Sequence, residues 1–297
     1  MAGTFAGIID AARKKAVKRR LAISSVKKPD LKIISRAASE GLVVPLLVGD
    51  GKEAAALVKK SLLASLEHEI IDVKDSGGSL REAIALVRDG RADMLMQGAD
   101  DQKMFLKTVL DAKTGLLKEK LASYISVFQL PKSDKVILVT DTFVNNYPGV
   151  TEKRLILEQA IKLAGVLGME APKVAVLAAI EQVNPSSPST LDAAVLSKMS
   201  ERKQFGNAVV EGPLDIDCAL SQVAAGRKGI KSVVTGNVDI YLVPEIESGY
   251  LLAQSLVFIG RMEVAGVLMG VTKPVILKIP FVSQENRLVE IALACLI

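Results

Sequence analysis

The sequence predicts an α/β protein of two lobes, built on mainly parallel sheets flanked by helices. Short apolar runs alternate with amphipathic stretches almost from end to end, the pattern of repeated strand-helix units. Several of these runs, Val174 to Ile180 above all, carry apolar residues on both alternating faces, as a strand covered on both sides requires. At 297 residues the chain is long enough for a large core and for two lobes, since single cores stop growing near ~250–300 residues.

Each joint has a physical reason. Thr4 to Val17 has helical spacing, and Leu21 to Ser25 is a short strand. Pro29 suits a helix first turn, and that helix stops at Gly41. Val43 to Val48 is a strand ending in Gly49-Asp50-Gly51, and Lys52 to Leu63 a helix. Ile70 to Val73, Leu80 to Asp89, Asp93 to Met96 and Gln102 to Asp111 continue the alternation. Tyr124 to Leu130 and Lys135 to Thr140, parted by Pro131-Lys132-Ser133-Asp134, have hairpin spacing and mark the start of a second lobe.

Glu152 to Leu167 is a helix, and the stretch from Pro172 to Ala194 follows it. There an apolar strand leads into a loop with Glu181, Gln182, Asn184, Pro185 and Pro188, and Ser189 with Asp192 reads as a capping box. Carboxyl ends of strands are where open α/β sheets collect ligands, so this loop is a candidate binding edge. Asn207 to Val210 and Ile240 to Val243 are strands, with helices at Ile216 to Ala225 and Gly249 to Ile259. Ala265 to Met269 and Val275 to Leu277 are strands, and Ser283 to Leu296 closes the chain as a helix.

Composition excludes several classes. Hydrophobic residues make up 49% and charged residues 24%, ordinary for a globular protein, and no apolar run reaches the ~20 residues of a membrane span. The N-terminus lacks the charged-then-apolar order of a secretory signal, which gives a cytoplasmic expectation. Residues 1–28 hold eight basic side chains against Asp10, while the other 30 basic residues face 32 acidic ones. This basic start has no stacking aromatics and reads as a solvated face, not a nucleic-acid surface.

Familiar chemistries fail on spacing. Leu46 and Glu53 stand where a phosphate loop around Gly49-Asp50-Gly51-Lys52 needs glycine and a hydroxyl, and no GxGxxG follows the first strand. His68 is the only histidine and reads as a surface residue; Cys218 and Cys295 make no disulfide framework, and Cys218 reads as packing. Asp215 and Asp217, two apart, would not share a helix face as a metal pair. No metal site is expected.

Six stretches together carry a resemblance: LVGD at 47–50, FLKTVLDAKTGL at 105–116, VLAAIEQVNPSSPSTLDAA at 176–194, EGPLDIDCAL at 211–220, DIYLVPEIESG at 239–249 and AGVLMG at 265–270. The chain resembles the phosphate acetyl/butyryl transferase family, nearer its butyryltransferase branch, over nearly its whole length. The resemblance implies the isocitrate/isopropylmalate dehydrogenase-like fold of phosphate acyltransferases. One lobe would comprise residues 1–122 plus 271–297, the other 123–270, with an active-site cleft between them. It implies acyl transfer between coenzyme A, as co-substrate, and phosphate or acyl phosphate, with no bound cofactor and no metal, in a homodimer with no membrane partner.

The family pattern has Ser-Arg near the C-terminus and an Asp two residues later; this chain has Ile279, Pro280 and Val282 there. Neither an isoleucine nor a proline can accept a proton or hold phosphate in a guanidinium fork. Gln97 stands in place of Lys, Gln102 of Thr, Tyr250 of Asn and Gln254 of Lys. Three readings stay open: an active acyltransferase with a rearranged site, a lapsed member that binds CoA, an acyl-CoA or another small ligand, and a metal-dependent hydroxy-acid dehydrogenase on a related scaffold. The first is adopted. Its candidate catalytic groups are Glu181, as base, with Asn184 and Asp217, and its candidate binding residues are Lys273, Lys278, Arg287 and Gly249.

Overall fold

The computed structural model describes residues 3–15 and 17–297 and divides into two compact units. The terminal unit joins Phe5–Ala122 to Ala265–Ile297, and the middle unit is Ser123–Val264 with Gly3 and Thr4.

The terminal unit begins with helix α1 (Phe5–Lys14), which buries Phe5, Ile8 and Ala12, one face at helical spacing. Then come β1 (Arg19–Ser24), α2 (Lys28–Ser39), β2 (Val43–Gly49), α3 (Gly51–Lys59), a 3-10 turn at Leu62–Ser65, β3 (Glu69–Asp72), α4 (Ser76–Arg88), β4 (Met94–Gln97) and α5 (Gln102–Val109). Pro29 lies in the first turn of α2, and the Lys27 backbone N–H donates to Asp30. Asp50, Asp75 and Asp101 cap α3, α4 and α5 by accepting backbone N–H groups of the first turn.

In the middle unit, β5 (Ser123–Gln129) and β6 (Val136–Thr140) pair antiparallel, as hairpin spacing predicts. They are followed by α6 (Val150–Val166), β7 (Lys173–Leu177), α7 (Pro188–Glu201), β8 (Val209–Leu214), α8 (Ile216–Leu220), α9 (Gln222–Arg227), β9 (Ile240–Leu242) and α10 (Ile246–Phe258). The strand order is β5-β6-β9-β7-β8, with β6, β9, β7 and β8 mutually parallel. The chain then returns through β10 (Glu263–Met269), β11 (Val275–Ile276) and α11 (Arg287–Leu296). The terminal unit's order is β3-β2-β1-β4-β11-β10, in which β10 and β11 form the antiparallel pair.

Residues 21–24 of β1 and 46–48 of β2 are fully buried, as parallel strands covered on both faces are. α11 is buried along nearly its whole length against α1 and α2, and side chains such as Ile291 and Leu293 each contribute about 1.5–3 kcal/mol.

Four expectations are corrected. The strand read as Val174–Ile180 ends at Leu177, and the one read as Asn207–Val210 runs on through Gly212-Pro213 to Leu214. β8 pairs only with β7, and a register shift between Ala175 and Leu177 takes up the irregularity that a proline without an N–H introduces. The helix read across Ile216–Ala225 is two, because Ser221 is extended and caps the second through Ala224 N–H. Helix α7 starts after Ser187 with no side-chain cap, and Asp192, instead of closing a box with Ser189, pairs with Lys153 of α6 at 2.7 Å.

The basic N-terminal residues are spent locally. Arg13 bridges Asp10 and Glu40, Lys15 donates to the Leu296 carbonyl, and Arg19, Arg20 and Lys27 meet Asp93, Glu69 and Glu53.

Candidate functional site

Two polar constellations form at carboxyl ends of strands, one in each unit. In the terminal unit, Ser24 and Ser25 end β1, Gln97 ends β4, and Lys278 follows β11. Both serine hydroxyls donate to the Asp100 carboxylate, Ser25 at 2.8 Å. Gln97 is buried and fully engaged: its Nε2 donates to the Asp100 carbonyl at 3.1 Å, and its Oε1 accepts the Lys278 backbone N–H at 2.9 Å. The turn beyond it requires glycine, because a Cβ on Gly98 would stand 2.0 Å from the Ser24 carbonyl oxygen.

Lys278 is half-exposed, and its Nζ lies 3.4 Å from Asp30 Oδ1 and 3.4 Å from the Gly98 carbonyl. Asp30 is fully buried, so this ammonium is its charge partner as well as a cation at the surface. Lys273 is exposed on the turn between β10 and β11.

Arg287, a candidate binding residue, is enclosed. It is 3% exposed, its Nη2 donates to the Gln97 carbonyl at 3.3 Å, and its Nε lies 4.0 Å from Glu290. Gly249 likewise sits in a packed contact, where a Cβ would approach the Asp141 carbonyl oxygen to 2.6 Å and Val243 to 2.8 Å. Both residues are enclosed within their own units. Ile279 and Phe281 are buried too, Pro280 is exposed, and Val282 is half-buried.

In the middle unit, one ammonium gathers three carboxylates. Lys228, just past α9, contacts Asp215, lies 3.0 Å from Asp217 Oδ1 and 3.7 Å from Glu181 Oε2. Glu181 leaves the loop after β7, while Asp215 caps α8 at the end of β8. Burial would raise the Asp215 carboxyl, yet hydrogen bonds from Cys218 and Lys228 hold it below the usual carboxylate range. The same contacts raise Lys228. Burial, with the Asp215 carboxylate beside it, pushes the Cys218 thiol up to about 12, so it is no thiolate nucleophile.

Asp215, Asp217 and Cys218 present ligand atoms within 4.8 Å of one another, a grouping that two-apart spacing on a helix had argued against. The argument fails because Asp215 is a cap outside the helix. The Lys228 ammonium already occupies both carboxylates.

Asn184 stands apart from that cluster. Its Oδ1 accepts the Ser186 N–H at 2.9 Å and its backbone bonds Thr190 Oγ1, so it shapes the loop before α7. His68 is half-buried, with Nδ1 2.8 Å from the Leu66 carbonyl. Lys228 had no sequence signal: 11 to 13 residues separate it from the aspartates, and only the turn of α8 into α9 closes the distance.

Comparison with known proteins gives a consistent result. The family model described as "Phosphate acetyl/butaryl transferase" matches residues 78–295. A phosphate butyryltransferase of Clostridium acetobutylicum is 37% identical over 297 residues, all of this chain and 99% of the relative. A phosphate acetyltransferase of Thermotoga maritima is 32% identical over 288 residues, 97% of each chain. Among solved structures, a branched-chain phosphotransacylase from Enterococcus faecalis V583 superposes with a TM-score of 0.80 at 27% identity, covering 94% of this chain and 99% of that one.

Proposed function

This chain belongs to the phosphate acetyl/butyryl transferase family, and from that membership we propose that it transfers a short acyl group between coenzyme A and inorganic phosphate. The observation that carries the reading is end-to-end similarity: a phosphate butyryltransferase aligns with every residue of the chain. The reaction exchanges a thioester for an acyl phosphate. In one direction the CoA thiolate attacks the acyl carbon and phosphate leaves; in the other, phosphate oxygen attacks the thioester and thiolate leaves. Both directions need cations on phosphate and a group that moves the thiol proton.

The residues assigned to these tasks are Lys278 and Lys273 for phosphate and Glu181 for the proton, with Asp217 as its polar neighbour. Lys278 supports its assignment by being a half-exposed ammonium at the carboxyl end of a strand. Glu181 supports its own by standing in the loop after β7, partly exposed, with its carboxylate 3.7 Å from the Lys228 ammonium. Asn184 is assigned to the loop that carries Glu181. Arg287 and Gly249 are assigned to packing and positioning.

The same proposal includes a homodimer and a cytoplasmic location. Leu251 and Phe258 of α10, with Ile259 after it, are 65%, 69% and 82% exposed, an apolar face suited to a second copy. No helix among the described residues is long and apolar enough to cross a membrane.

The test is phosphate-dependent CoA release from acetyl-, propionyl- and butyryl-CoA, with light scattering for the assembly. Turnover on any of the three supports the proposal. CoA binding without release from any of them overturns it and leaves a ligand-binding protein.

A further inference from the structure

Helices α2 and α3 follow the neighbouring parallel strands β1 and β2, so they run in the same direction across the terminal unit. Between them and the 3-10 turn at Leu62–Ser65 lies a groove of about 600 Å³. Helical spacing builds its walls. Leu31, Ser35 and Ser39 recur every fourth residue on α2, and Glu53, Ala56, Leu57 and Lys60 share one face of α3. Leu31 is buried, Leu57 half-buried and Leu62 61% exposed, which leaves an apolar surface open between the helices. Lys278, Lys273, Glu181 and Asp217 all lie outside it.

The charge around this apolar surface is one-sided. Lys28, Lys32, Arg36 and Lys60 line the groove against a single carboxylate, Glu53. Glu53 is already paired with Lys27 at 2.6 Å, and Arg36 with Glu40 at 2.9 Å. Lys28 and Lys60 are exposed and have no ion pair among the described residues. A second observation points to a polar head group. Ser35 stands in the α2 wall, 4% exposed, and its hydroxyl has no hydrogen-bond partner among the described residues. A buried hydroxyl left alone costs stability, which a bound acceptor recovers.

An apolar groove under a cationic rim suits an anionic amphiphile, because lysine stems lie along apolar surface while their ammoniums stay in water. Its volume falls in the ~300–1,000 Å³ range of small-ligand sites, enough for one chain between two helices. We infer that this groove binds a single-chain carboxylate, a free fatty acid anion. Its chain lies over Leu31, Ala56 and Leu57, its head meets the Lys60 ammonium, and the Ser35 hydroxyl donates to it. Charge sets this direction. Glu53 stands at the Lys28 end, where both helices begin, and repels a carboxylate; the Lys60 end adds Ser39 and Ser61 and no acid to the lining. The inference does not depend on the acyltransferase reading.

The experiment is calorimetric titration of the full chain with decanoate below its micellar concentration. Decyltrimethylammonium, with the same chain and opposite charge, and acetate, with the charge and no chain, are the contrasts. Decanoate is expected to bind about tenfold or more tighter than either. Ala56→Phe, an exposed change that fills the groove, and Lys60→Met are each expected to weaken decanoate about tenfold or more, and Lys28→Met distinctly less. Ser35→Ala is expected to weaken it about threefold while the free protein's Tm stays level or rises, since an unpartnered hydroxyl is removed. No binding of decanoate, or equal binding of decyltrimethylammonium, overturns the inference. So does decanoate affinity unchanged in Ala56→Phe with folding verified by circular dichroism, which places the anion elsewhere. Equal losses in Lys28→Met and Lys60→Met reduce the effect to general attraction and overturn it too. Capture of phosphatidylglycerol vesicles by a chain that does not bind decanoate assigns the face to a membrane surface and overturns it as well.

Discussion

The backbone N–H of Lys278 donates to Gln97 Oε1 at 2.9 Å, so the side chain at the end of β4 fixes the cation that follows β11. The same Gln97 receives Arg287 on its carbonyl and grips the Asp100 carbonyl through Nε2. Gln97 therefore acts as a three-way clamp and contributes no charge.

Lys278→Met is expected to raise the KM for phosphate about tenfold or more with a smaller effect on KM for CoA, since it removes a charge-assisted contact. Gln97→Leu should move the same constant in the same direction by releasing the Lys278 backbone N–H from Gln97 Oε1. Initial-rate kinetics with phosphate and CoA varied separately check both. Unchanged phosphate KM in Lys278→Met would remove it from the site.

Glu181→Gln removes the proposed proton acceptor and keeps its shape. A fall in kcat by about 10²–10⁴ with little change in either KM is expected if it moves the thiol proton. Stopped-flow detection of thiol release reads this directly.

The contact of Lys228 with Asp215 and Asp217 gives a pH signature. Asp215 titrates below its ordinary value of 3.8, so its contribution to stability is present above that value and is lost as pH falls through the lower folded one. Lys228→Met should therefore destabilise the protein near neutral pH, and the difference from the parent should vanish once the pH is low enough to protonate Asp215. Urea melts across the acid range check the sign. A difference that persists in strong acid would assign the loss to packing.

Gly249→Val should cost about 1–3 kcal/mol, because its Cβ would meet the Asp141 carbonyl oxygen at 2.6 Å. Denaturant unfolding measures it. A neutral result would show that α10 can shift away from that carbonyl.

Cys218 and Cys295 are both buried, and burial raises their thiols to about 12 and about 11. Native protein is expected to resist iodoacetamide at mildly alkaline pH and to label at both positions in urea. Peptide mass spectrometry distinguishes the two states.

The α/β class and the hairpin of β5 and β6 were legible in the amino-acid order alone, because hydrophobic period and turn residues are local properties that adjacent side chains encode. That order also carried the family likeness, through stretches such as Glu211 to Leu220. Where charge goes emerged only from the folded chain. Asp192 looked like half of a capping box and is instead the partner of Lys153, 39 residues away. Arg287 looked like a free cation and is buried on Gln97, 190 residues away. Asp215 and Asp217 looked divided by helical spacing, and a cap geometry with Lys228 brings them together. An ionic partner is chosen by distance in the folded chain and by the cost of leaving a buried charge alone, and neither is a function of spacing in sequence.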